Sequence, residues 1–146
     1  MVYDFLVIGA TGIQGRIATK DLLQSGYSVL MAGREKYLVD DLLKKYSKTN
    51  FTYLDLRNKS RITKIIKKSG SDVVVNCADG NFNLDVMKAC VRARVNYLDL
   101  GSDDWMTEEQ FKLDKLMKGK KYTRNYWMRV NSRNIKRDGR LHKRKI

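Results

Sequence analysis

The apolar run Tyr3-Asp4-Phe5-Leu6-Val7-Ile8 breaks directly into Gly9-Ala10-Thr11-Gly12-Ile13-Gln14-Gly15. A buried strand that ends in a glycine turn and then opens a helix aims backbone N–H groups and a positive helix end at one point. A pyrophosphate can sit there. The three glycines serve separate needs: Gly9 the tight turn, Gly12 the close approach of backbone to phosphate, and Gly15 the packing of helix on strand. With Ala10, Thr11 and Ile13 between them, the segment is a candidate cradle for a nucleotide cofactor.

The next twenty residues supply the context such a turn requires. The spacing predicts a helix from roughly Ile13 to Ser25, with Ile13, Ile17, Ala18 and Leu22 along one stripe, stopping at Ser25-Gly26. A second apolar run, Val29-Leu30-Met31-Ala32, completes a βαβ unit. Its end bears on cofactor choice. Sites that prefer NAD carry an acid at this corner for the ribose 2′-hydroxyl, whereas here the strand ends Ala32-Gly33-Arg34-Glu35. A guanidinium suits a 2′-phosphate, and a charge-assisted bond of roughly 1.5–3 kcal/mol favours NADP by about ten- to a hundredfold. Glu35 keeps NAD open, and a competing reading makes Arg34 a solvated turn charge.

The alternation continues. Helices are predicted over Tyr37–Tyr46, Ser60–Ser69, Leu84–Ala93 and Thr107–Lys118, and strands over Phe51–Leu54, Val73–Asn76 and Tyr97–Leu100. Short continuous apolar strands between helices of about ten residues predict an α/β fold, a doubly wound parallel sheet of Rossmann type covered on both faces. Ligands on such sheets bind beyond the carboxyl ends of the strands. Asp55-Leu56-Arg57 is therefore placed to border the adenine, and Asn76-Cys77-Ala78-Asp79-Gly80 to pass toward the nicotinamide; Asp99, Gly101 and Ser102 close the fifth strand. For each, an ordinary turn or helix cap is the competing reading.

Catalytic groups are not evident. No tyrosine has a lysine four residues on, so the Tyr-x-x-x-Lys pair that lowers a tyrosine pKa for proton transfer is missing. Cys77 falls at a strand end and Cys90 on an inward helix stripe with Met87 and Val91, the ordinary surroundings of inert thiols. The one histidine, His142, sits among charges, which leaves no triad and no metal cluster to propose.

As a set, Val7-Ile8-Gly9-Ala10-Thr11-Gly12 with Gly15-Arg16, the Ala32-Gly33-Arg34 corner, Val74-Val75-Asn76-Cys77-Ala78, and Ala89-Cys90 leading to Tyr97-Leu98-Asp99-Leu100 resemble the N-terminal domain of saccharopine dehydrogenase-like oxidoreductases, over about Tyr3 to Lys118. The resemblance implies NAD(P) binding in this domain and hydride transfer on C–N bonds of amino acids or polyamines. Two positions depart from that pattern: Asp79-Gly80-Asn81 stands where many relatives have Gly-Pro, and Arg94 where they usually have glycine. The resemblance also implies a substrate domain beyond the part seen here.

The charge is uneven. Of 146 residues, 30 are Lys or Arg and 16 Asp or Glu; residues 119–146 hold eleven of those bases and the single acid Asp138. We expect a Rossmann domain over 1–118 and a basic tail over 119–146. The tail is read in three ways. As a basic arm with Tyr122, Tyr126 and Trp127 it would bind nucleic acid, making the chain a non-catalytic nucleotide-sensing module. As an unstructured extension it would leave a sheet edge open to self-association. As a frameshift product after Lys118-Gly119-Lys120-Lys121, it would hide a sixth strand: reading forward one base from Tyr122 allows a Gly-x-Gly-x-x-Pro-Gly-x-x-Asn segment that matches the family's next motif. The written chain has no proline, where about seven are expected at the usual frequency. No apolar run approaches a membrane span or a signal peptide, and two cysteines make no disulfide framework, so a cytoplasmic protein is expected.

Overall fold

The computed structural model describes residues 2–101 and 104–118. Its centre is β1 (Phe5–Ile8), flanked by β2 (Val29–Gly33) and β4 (Val73–Asn76), with β3 (Thr49–Tyr53) outside β2 and β5 (Asn96–Asp99) outside β4. All four pairings are parallel, in the order β3-β2-β1-β4-β5. The doubly wound α/β sheet expected from the alternating pattern is thus the fold. The chain steps outward from β1 to β3, then crosses back to β4 and β5. The loops after β1 and β4 therefore part above the sheet and leave a crevice.

Register brings the site segments to one edge. Ile8 lies level with Ala32 and Asn76, Gly33 with Tyr53, and Asn76 with Asp99, so the residues after every strand emerge together. The pleat divides the core. Leu6 and Ile8 join Ile62, Ile65 and Ile66 of α3 (Lys59–Ser69) and Val86, Met87 and Cys90 of α4 (Asn83–Ala93). Val7 faces the other way, into a cluster with Leu23 of α1 (Ile13–Gln24) and Leu42 of α2 (Asp40–Lys45). Each fully buried Leu, Ile or Val contributes about 1.5–3 kcal/mol, which is why β1 is apolar throughout and β4 is apolar up to Asn76. The outer strand β3 is only partly buried and carries Thr49, Asn50 and Thr52.

Several boundaries differ from the sequence reading, and one face does. The buried residues of α1 are Gly15, Thr19 and Leu23, while Ile13 and Ile17 are 79% and 60% exposed. Periodicity picks out the large apolar side chains; the close approach of the helix to the Gly9-Ala10 turn instead requires a glycine at position 15. The helix expected from Tyr37 to Tyr46 divides into a 3-10 turn, Lys36–Val39, and α2. Strand β5 stops at Asp99, leaving Leu100 half exposed, and α5 (Asp104–Lys118) starts three residues before Thr107. Arg94 ends α4 with φ 60° and ψ 47°, the one positive φ at a non-glycine among the described residues. The basic tail, with any sixth strand it carries, lies outside the described residues, as does His142.

Candidate functional site

The turn after β1 is built by backbone. Gly9 has φ 76°, and its N–H and that of Ala10 donate to the Ala32 carbonyl at 2.9 and 3.2 Å, tying the turn to β2. A Cβ on Gly9 would stand 2.7 Å from the Ala78 nitrogen, and one on Gly15 only 2.1 Å from the Gly9 carbonyl oxygen. Both are backbone clashes that cannot relax cheaply. Gly12 differs: a Cβ there would meet only the Gly9 oxygen, at 3.4 Å. Its free side faces the crevice.

Gly12 is the N-cap of α1, no side chain caps it, and the first turn holds no acid. The orphan N–H groups and the positive end of a twelve-residue helix thus open on a cleft of about 440 Å³ over the carboxyl ends of the strands. Gly9, Thr11 and Gly12 form its floor. Thr11 also packs on Gly33, where a Cβ would come 2.9 Å from both the methyl and the hydroxyl of Thr11.

At the outer end of the cleft stand Arg34, Asp55 and Arg57. The Asp55 carboxylate accepts the Arg57 backbone N–H at 3.0 Å and the Nε of its guanidinium on both oxygens at 3.0 Å. The Arg57 guanidinium, then its backbone N–H, hold the Asp55 pKa down to about 2, with a further Coulombic pull from Arg34. A carboxylate at this end is charged at every physiological pH.

The other end is formed by Cys77, Ala78 and Phe82. The loop there is shaped from behind by Asn76, which is buried: its Nδ2 donates to Asn83 Oδ1 at 2.8 Å, and its Oδ1 accepts the Ala78 N–H at 3.3 Å. Tyr97 donates its hydroxyl to the Asn83 carbonyl at 3.2 Å, and burial pushes its pKa up. Burial also pushes the Cys77 thiol up to about 11 and the deeper Cys90 thiol upward, so neither is a thiolate at neutral pH. Asp79 accepts the Asn81 N–H at 2.9 Å and caps the short turn Gly80–Phe82. Asp99 accepts from Gly101 N–H at 2.8 Å and Gln110 Nε2 at 2.7 Å, the cap-like tie that was its competing reading.

Of the residues singled out in the sequence, Gly9, Thr11, Gly12, Arg34, Asp55, Leu56, Arg57, Cys77, Ala78 and Asp79 come together in the cleft wall. Ala10 and Gly15 are buried beneath it, Asn76 stands behind it, and Ile13 lies in solvent beside it. Sequence reasoning missed Gly33 and Phe82. The glycine ending β2 was the signal that could have found the first; nothing in the local pattern marks the second. Among the described residues no group of three His, Cys, Asp or Glu side chains comes together to hold a metal ion, and no helix is long and apolar enough to cross a membrane.

An uncapped helix terminus over the reversal point of a parallel sheet, beside a strand-end arginine, defines a dinucleotide-binding α/β domain. The sequence matches the family described as Saccharopine dehydrogenase NADP binding domain over residues 5–137, and the chain belongs to that family. It is a nicotinamide dinucleotide-binding domain of the oxidoreductase kind. The matched region runs past Lys118 into the basic tail.

Among curated proteins, the chain is 23% identical over 135 residues to a chloroplast divinyl chlorophyllide a 8-vinyl-reductase of Arabidopsis thaliana, covering 88% of this chain and 29% of that protein. Among solved structures it is similar to apo saccharopine dehydrogenase (L-Glu forming) from Saccharomyces cerevisiae, with a TM-score of 0.61 at 19% identity, covering 73% of this chain and 23% of that one. A short-chain dehydrogenase/reductase from Veillonella parvula in complex with NADP gives a TM-score of 0.58 at 17% identity, over 77% of this chain and 56% of that one. The chain thus spans under a third of the plant relative and under a quarter of the yeast enzyme.

Proposed function

We propose that this chain is the NADP-binding part of an oxidoreductase that works by hydride transfer on C–N bonds of amino acids or polyamines, its substrate groups lying outside these 146 residues. The observation that carries the reading is the open amino end of α1, which faces a cleft with Arg34 at its outer rim. When bound, the cofactor supplies the hydride. The chain's own residues bind and orient it: Gly9, Ala10, Thr11, Gly12, Ile13 and Gly15 form the pyrophosphate turn. Arg34 meets the 2′-phosphate, Asp55 borders the adenine, and the segment Asn76, Cys77 and Ala78 leads to the nicotinamide.

The residues fit that group. The first helix turn lacks the acid that would repel a pyrophosphate, and the open side of Gly12 leaves room for one. Proton transfer to substrate is assigned to no residue here, because the thiols of Cys77 and Cys90 stay protonated and the Tyr97 hydroxyl is engaged behind the cleft.

Titration of NADPH and NADH into the full chain, monitored by nicotinamide fluorescence, tests the reading. We expect NADPH to bind about ten- to a hundredfold more tightly, Arg34→Gln to reduce that difference, and no imine reduction by the chain alone. Failure to bind either dinucleotide, or robust turnover, would overturn it. The nucleic-acid alternative rests on residues 119–146 and predicts an affinity whose logarithm falls steeply with log salt.

A further inference from the structure

We propose that Arg57 is a second specificity-determining cation of the cleft, exchanging its contact with Asp55 for the cofactor's 2′-phosphate, which Arg34 by itself does not hold. The inference rests on the reading of the cleft as an NADP site.

Arg34 and Arg57 are the cations among the residues lining the cleft, and Asp55 lines it with them. A 2′-phosphate carries close to two negative charges near neutral pH. Placed against Arg34, it would also come near the Asp55 carboxylate, which Arg34 already attracts through space. Arg34 and Asp55 together present no net charge to a dianion. Discrimination in favour of the phosphate therefore needs another cation at the same place, and Arg57 is there.

Geometry makes the exchange inexpensive. The Arg57 side chain is 74% exposed while that of Asp55 is 18% exposed, so the guanidinium covers the carboxylate from the solvent side. The guanidinium itself lies largely in solvent, so turning it away from Asp55 uncovers little that is buried on its own side, and a phosphate offers a guanidinium two parallel hydrogen bonds at higher charge than a carboxylate does. When the guanidinium turns away, the Arg57 backbone N–H still holds Asp55. The same pair divides the cleft from a second groove of about 620 Å³. The other cations of that groove, Lys59 and Arg61, do not line the cleft; Lys59 Nζ lies 3.0 Å from Asp85, and the Arg61 guanidinium sits 5.7 Å from the centre of the Tyr53 ring. Arg57 alone is poised between the two spaces.

The test uses two probes that differ by one phosphate, 2′,5′-ADP and 5′-ADP, titrated calorimetrically into the full chain and its Arg57→Gln, Arg34→Gln and Asp55→Asn variants. We expect Arg57→Gln to weaken 2′,5′-ADP about tenfold while changing 5′-ADP by less than about twofold. Asp55→Asn, which frees Arg57 and removes the repelling charge, should raise the preference for 2′,5′-ADP. Unchanged 5′-ADP binding also reports an intact fold. The proposal is overturned if Arg57→Gln affects both probes equally or neither, with Arg34→Gln alone abolishing discrimination. A wild-type chain that binds both probes equally would instead sink the NADP reading, and this inference with it.

Discussion

The turn after β1 and the outer rim of the cleft are built on opposite principles. At the turn after β1 the chain is held by its own backbone, with Gly9 and Gly15 packed so closely against the Ala78 nitrogen and the Gly9 oxygen that no side chain fits. At the rim beyond β2 and β3 the actors are exposed charged side chains, Arg34, Asp55 and Arg57, whose contacts can be exchanged. On the function proposed above, recognition of what every dinucleotide shares is part of folding itself. Recognition of what distinguishes one dinucleotide from another is then left on the surface, where it can change without cost to the core.

The contrast breaks most visibly at Gly15. A Cβ there would overlap backbone at 2.1 Å, and we expect Gly15→Ala to cost about 3 kcal/mol or more in stability, measured as a fall in the urea midpoint at constant slope. A wild-type midpoint would show that the helix and the turn after β1 are not pressed together at this residue. Next comes Gly12→Ala, whose Cβ meets only one oxygen at 3.4 Å. Its fold should lose about 1 kcal/mol or less, yet NADPH affinity should drop about tenfold or more because the methyl group stands where the phosphate approaches. Equal losses in the two properties would erase the distinction between the structural and the ligand-facing glycines.

Arg94 sharpens the contrast from another side. It holds a left-handed cap with φ 60°, a conformation that costs a non-glycine residue roughly 1–2 kcal/mol. After allowing for the greater unfolded-state freedom of glycine, Arg94→Gly should stabilise the domain by about 0.5–1 kcal/mol, seen as a Tm about 3 °C higher. Cofactor affinity should stay unchanged. The smallest effect is acid dependence at the rim. The Asp55 pKa lies at about 2 when folded against about 3.9 unfolded, so its contribution is complete above about pH 4 and fades as pH falls toward 2. Urea midpoints of wild type and Asp55→Asn between these limits should converge at the acid end; parallel curves would mean the pair adds nothing.

How far the sequence could be read depended on how local each cause was. The β1–turn–α1–β2 unit was legible because apolar runs and glycine spacings act over a few neighbouring residues. The inward face of α1 was not: Ile13 and Ile17 look like core, yet they lie in solvent while Gly15 and Thr19 are buried. Asn76 reads as a cofactor contact, with a turn residue as the competing reading, until Asn83 and Tyr97, the latter 21 positions away, are brought beside it. The contact of Thr11 with Gly33 likewise joins the ends of two strands.

The order of elements, the parallel sheet and the position of a phosphate turn were determined by the sequence itself, since short-range sterics and hydrophobic period specify them. Which face of the first helix is buried, and whether a given polar side chain lines the cleft or stands behind it, the tertiary structure alone decided. Those roles depend on the distance to atoms that are remote along the chain, and only packing sets that distance.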